Sequence, residues 1–133
     1  MQLSTSLRNT LADAIDTAVG TTGRARFYTT GLGTLLASAT LNNPAFGAAA
    51  TGAITLDVTP AVQDTSPAAA GTCVRLGFYT NATATSGAFV FMLGVATSGA
   101  PDVTMSNNVI ATTDTVQITS LVVTVPAGTP DVT

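Results

Sequence analysis

Arg24-Ala25-Arg26-Phe27-Tyr28-Thr29 is where the chain stops repeating every three to four residues and begins to alternate. Successive side chains of an extended strand point to opposite faces. Ala25 and Phe27 therefore fall on one side, and Arg24, Arg26 and Tyr28 on the other. A second stretch, Val74-Arg75-Leu76-Gly77-Phe78-Tyr79-Thr80, echoes the first, with Val74, Leu76 and Phe78 opposing Arg75, Gly77 and Tyr79. The apolar sets are expected to enter a core and to leave Arg24, Arg26, Tyr28, Arg75 and Tyr79 together on outer faces. The echo fits two equivalent hairpins but is too short to establish a duplication.

Upstream of this point the period is helical. Leu3, Leu7, Leu11, Ile15 and Ala18 recur at spacings of three and four over residues 3–19, which places them on one face of a helix. Ser4 or Thr5 is suited to cap its start, and Gly20 sits where a helix ends. Arg8, Asp13, Asp16 and Thr17 lie mainly off the apolar stripe. Two roles remain open for this helix: covering a face of its own domain, or docking as an arm on a neighbouring subunit.

Downstream, residues 24–29, 34–41, 52–59, 72–80, 88–96, 103–105 and 115–125 read as strands separated by Gly, Pro, Asn and Asp, with a further extended piece near 109–111. Strands without intervening helices point to an antiparallel sandwich or barrel. The expected fold is mainly β, an antiparallel β-sandwich of jelly-roll-like form with one N-terminal α-helix. It divides into a helix or arm (1–22), the sandwich (23–126) and a tail (127–133). Two strands break simple alternation. In 88–95, Phe89, Phe91, Leu93 and Val95 share a face, yet Val90 and Met92 opposite are also apolar, so the outer side should meet the helix or a partner. In 115–125, a bulge near Thr119 and Ser120 would return Val116, Ile118, Leu121, Val123 and Val125 to one side.

The composition limits the chemistry. Among 133 residues there is no Lys, Glu, His or Trp, while Ala and Thr together fill 48 positions. Charged residues are 8%, against roughly 25% in typical domains. Without imidazole or amine, general acid–base, Schiff-base and zinc chemistry lose their usual carriers. No phosphate loop, dinucleotide fingerprint, nucleophile elbow or calcium loop is present, and the reading is non-enzymatic with no metal or cofactor. Asp57, Asp64, Asp102, Asp114 and Asp131 are scattered, and Asp102 and Asp114 look like turn residues. A net charge of −3 with four scattered Arg argues against nucleic acid as a partner. The lone Cys73 forms no internal disulfide and reads as a packed strand thiol. Asn81-Ala82-Thr83 fits a glycosylation acceptor, but without a secretory signal it reads as a polar hairpin loop. No signal peptide or membrane span is visible, so the chain is expected to be made in a cytoplasm and used there or released by lysis.

A surface this poor in charge is expected where subunits cover one another, since interface cores lose charge. The Arg–Tyr faces are the best candidate, because both residue types bury large area while keeping a polar end. The alternative is that they merely stack on each other as strand decoration. The interface set is Arg24, Arg26, Tyr28, Arg75 and Tyr79, with Val90 and Met92 on the two-faced strand and Leu7 and Leu11 on the helix.

Several stretches resemble small virion proteins of tailed bacteriophages. They are Met1-Gln2-Leu3-Ser4-Thr5-Ser6-Leu7-Arg8-Asn9, Arg26-Phe27-Tyr28-Thr29 before Gly31, and Leu41-Asn42-Asn43-Pro44-Ala45-Phe46-Gly47. Gly71-Thr72, Arg75, Phe78-Tyr79 and the closing Val116-Gln117-Ile118-Thr119-Ser120-Leu121 complete the set. The resemblance implies a capsid cement or decoration protein with a jelly-roll-like fold, located on the capsid surface. Its implied partners are itself, as a homo-oligomer, and the phage major capsid protein, with no nucleic acid and no membrane. A tail, neck or fibre component has the same composition. Attachment to host carbohydrate is a further alternative, with Tyr28 and Tyr79 as its aromatic platform, and a glycosidase would need two paired Asp.

Overall fold

The computed structural model describes residues 1–30, 33–83, 87–99 and 102–128, and places one helix ahead of a set of short strands. Helix α1 spans Thr5–Val19. The Ser4 side chain accepts from the Leu7 N–H at 3.2 Å, and the Gly20 N–H donates to the Asp16 carbonyl at 3.0 Å, so both expected ends hold. The strands are β1 (Arg24–Tyr28), β2 (Leu35–Thr40), β3 (Ala53–Thr55), β4 (Val62–Asp64), β5 (Gly71–Thr72), β6 (Arg75–Tyr79), β7 (Phe89–Ala96), β8 (Val103–Thr104), β9 (Val109–Ile110), β10 (Val116–Ile118) and β11 (Val122–Thr124). The protein is mainly β with one N-terminal helix.

Five strands form the largest sheet, in the order β2-β1-β6-β7-β8. The pairs β10-β4, β11-β3 and β5-β9 are separate two-stranded sheets. All pairings are antiparallel except β7 with β8. Two stretches that read as single strands are each divided, because the chain changes partners within them. Residues 72–80 pair first with β9 and then with β1; at the switch the Cys73 N–H donates to the Asn108 carbonyl and the Val74 N–H to that of Tyr28. Residues 115–125 pair first with β4 and then with β3, and the Leu56 N–H donates to the Leu121 carbonyl between them. That jog keeps Val116, Ile118 and Leu121 buried, with Val123 and Val125 packed against the same core.

The core draws Phe27, Leu36, Leu76 and Phe78 from the large sheet, Ile54, Val62 and Ile118 from the smaller pairs, and Leu56 from just beyond β3. Phe78 stacks on Phe91 with centroids 4.4 Å apart and meets Phe46 at 6.1 Å. Phe46 belongs to the irregular segment after β2, and a buried irregular backbone must still find hydrogen-bond partners. Helix α1 supplies them.

That requirement turns the helix. Asp16 accepts from the Phe46 N–H at 2.9 Å, Asp13 from Ala49 at 2.8 Å and Asn9 from Gly52 at 2.7 Å. The Arg8 Nε donates to the Val125 carbonyl at 2.7 Å, and its guanidinium lies over Gly52, where a Cβ would come within 2.6 Å of it. The buried helix positions are Ala12 and Val19, with Ile15 packed against the core. The inward face is thus rotated by roughly 100°, one residue position, from the expected stripe. Leu7 and Leu11 face out, 46% and 43% exposed. α1 packs against β3 and also touches β7.

Candidate functional site

The Arg–Tyr cluster is built by cross-strand register. Arg26 of β1 stands opposite Gly77 of β6, which stands opposite Met92 of β7. Gly77 leaves a slot on this face, and the Tyr79 ring folds back across it. A Cβ at Gly77 would lie 2.8 Å from Tyr79 Cε2 and 3.2 Å from the Met92 methyl. Arg26 then sits over the Tyr79 ring, 5.6 Å from its centroid. Its guanidinium donates to the Tyr28 hydroxyl at 3.4 Å and to the Ala82 carbonyl. Tyr28 and Tyr79 pack at 6.3 Å with their rings tilted, and Phe89 meets Tyr79 edge-on at 5.7 Å.

Face sorting by alternation holds here, but the exposure expected from it does not. Arg26, Tyr28 and Tyr79 are only 9%, 6% and 3% exposed. The β6–β7 connection covers them: the Thr80 N–H donates to the Ala88 carbonyl, Thr22 Oγ1 donates to the Thr80 carbonyl, and Ala88 is buried against both tyrosines. Of the five Arg and Tyr residues only Arg75 is exposed, while Arg24 is half-buried. The cluster is therefore an internal clamp on residues 80–83 and 87–88. Among the described residues Arg26 Nε has no partner, and the buried cation is held by a carbonyl, a phenol and a ring face. A desolvated cation–π contact of this kind contributes about 2 kcal/mol. Burial first, and the neighbouring Tyr28 hydroxyl second, push the Tyr79 phenol up to about 12, against a smaller downward pull from Arg26. A sugar platform needs an open aromatic face, and buried Tyr28 and Tyr79 offer none.

Strand β7 corrects a second expectation. Phe78 pairs with Phe91 but Tyr79 with Phe89, so the register slips by one residue at Val90. A one-residue slip exchanges the two faces. Phe89 therefore joins Tyr79, 44% exposed, while Val90 packs against the main core with Phe91 and Leu93. Met92 stays on the Arg–Tyr face, half-buried.

The acidic residues are committed to backbone. Besides Asp13 and Asp16, Asp57 accepts from the Thr59 N–H, Asp64 from Ser38 and Ser66, Asp102 from Gly94 and Asp114 from Ala111. Asp131 and most of the tail 127–133 lie outside the described residues. Among the described residues no three metal-ligating side chains cluster. A groove of about 190 Å³ opens between 103–106 and 117–120, floored by Phe27 and Leu76, and its polar lining is hydroxyl and amide. Cys73 is fully buried, its Sγ 3.5 Å from the Arg75 carbonyl; burial pushes the thiol pKa up. None of the described helices is long and apolar enough to cross a membrane.

A further candidate surface is the outward side of α1. Leu7, Leu11, Ala14 and Ala18 are all exposed and flanked by Thr10 and Thr17. Every charge on the helix is turned to the protein's own backbone, leaving this stripe neutral. The sequence carried a sign of that arrangement. Asp13 and Asp16 lie in the C-terminal half and Arg8 near the N-terminus, opposite to what the helix dipole favours. Charges placed against the dipole point to partners outside the helix. No family model, no curated protein and no solved structure matches this chain.

Proposed function

We propose that this chain is a non-enzymatic structural subunit of a tailed-bacteriophage virion, a capsid cement or decoration protein. In this reading its strands form an antiparallel β-sandwich of jelly-roll-like type. The contribution of the five-stranded sheet and the smaller pairs to one core supports it. The subunit bridges copies of itself and the major capsid protein on the outside of the head, so that many small contacts resist internal pressure.

The observation that carries the reading is the neutral apolar stripe of α1. Exposed Leu7 and Leu11 on a helix whose charged side chains are all occupied form a surface made to be covered. Interface cores are depleted in charge in this way. The committed carboxylates support a holding role over a chemical one.

Particles assembled without the protein should lose their DNA at lower temperature and lower pressure than complete particles. Equal tolerance would remove the reinforcing role. Labelled copies found at the tail tip would move the protein from head to tail.

A further inference from the structure

We infer that the outward stripe of α1 packs against α1 of a second copy, antiparallel across a two-fold axis. This rests on the reading of the chain as an assembly subunit and names the partner of that surface. Leu7, Leu11, Ala14 and Ala18 are spaced by four, three and four residues. That is the seam spacing by which one helix meets another. The seam is large at one end and small at the other. An antiparallel copy sets Leu7 against Ala18 and Leu11 against Ala14, so each leucine fills the space above an alanine. A parallel copy stacks leucine on leucine and leaves a gap over the alanines. Both orientations are two-fold and present one patch to itself, but only the antiparallel one fills the space over the alanines with leucine side chains.

Charge agrees with this partner. Arg8, Asp13 and Asp16 are held by the Val125 carbonyl and the Ala49 and Phe46 amides. The seam and its flanks, Thr10 and Thr17, present no like charges to a copy. The two helix dipoles also oppose each other favourably in this orientation. The contact is small: one helix seam buries on the order of a few hundred Å² per copy, below the roughly 800 Å² per partner of a stable complex. The pair is therefore weak in solution and becomes persistent when other contacts of a particle hold the copies near each other.

The test uses the full chain carrying Leu7→Cys and Ala18→Cys, oxidised at rising concentration. Those positions lie about 16 Å apart along one helix, too far to bridge within a chain, where Cα atoms must come within about 7 Å. A covalent dimer from the double variant, with Leu7→Cys alone remaining monomeric, is the expected result. The unaltered protein is the control, since buried Cys73 should give no cross-link. Leu11→Asp should weaken self-association in sedimentation at least about tenfold while leaving the unfolding midpoint unchanged. Cross-linking of Leu7→Cys alone as efficiently as the double variant overturns the antiparallel pair. So does a double variant that never cross-links in a protein monomeric at every concentration. If such a protein still stabilised heads, the function above would stand with a different partner on the stripe. If heads were indifferent to its loss while the cross-link formed, the helix pair would stand alone.

Discussion

Gly77→Ala tests the internal clamp most directly. The added Cβ would lie 2.8 Å from Tyr79 Cε2, whereas ordinary contact begins near 3.4 Å. The ring must therefore retreat by about 0.6 Å, or Met92 and Tyr79 must both move. Tyr79 has no free direction, because Tyr28, Phe89 and the Arg26 guanidinium occupy its other sides. Overpacking of this kind costs about 1–3 kcal/mol. Replacing Gly in a strand returns about 0.5–1 kcal/mol through reduced unfolded-chain entropy. The two combine to a net loss of up to about 2.5 kcal/mol, with about 1 kcal/mol at mid-range, or roughly 3–5 °C in Tm for a domain of this size. Denaturant unfolding gives the first readout. Phenol titration in the near ultraviolet gives the second: a displaced Tyr79 ring regains solvent, and its pKa falls from about 12 back towards 10.0. Gly87→Ala is the control, since its Cβ would meet nothing within 4 Å. If Gly77→Ala is as stable as the parent and titrates identically, the slot is not what holds Tyr79.

Further outcomes follow from the same geometry. Because the folded protein keeps the Tyr79 phenol neutral to about pH 12 while the unfolded chain releases the proton near its ordinary 10.0, stability is full below pH 10 and declines above it. The slope approaches about 1.4 kcal/mol per pH unit, and Tyr79→Phe should flatten it in melts across that range. Asp16→Ala strands the Phe46 amide and should cost about 1–3 kcal/mol; equal stability would mean that α1 docks by apolar contact alone. Cys73 should resist maleimide until denaturant unfolds the core, as mass spectrometry of labelled samples would show.

The features legible without coordinates are the local ones. Ser4 and Gly20 mark the helix ends because capping depends on residues within one turn. Alternation through Phe27 and Phe78 assigns the strand faces because side-chain direction is a property of the strand itself. Asp102 and Asp114 read as turn residues; Asp114 accepts from the Ala111 amide three residues away, whereas Asp102 accepts from the more distant Gly94 amide of β7. β4 was not expected, since Pro60 and Pro67 bracket only a few strand-forming residues around Val62.

Whatever depends on a distant segment escaped that reading. The apolar stripe through Leu7 and Leu11 is the more hydrophobic side of α1, yet the irregular backbone at 46–52 needed hydrogen-bond partners. Arg8, Asn9, Asp13 and Asp16 were the side chains able to meet that need and the Val125 carbonyl, so the helix turned its leucines outward. Arg26, Tyr28 and Tyr79 were sorted to the correct face, but only the return of the chain through Ala82 and Ala88 converted that face into an interior. Composition and periodicity act at short range, and they suffice for a charge-poor, mainly β chain with one capped N-terminal helix. Which apolar residues remain for a partner follows from long-range packing, because burial depends on whatever else comes to cover each face.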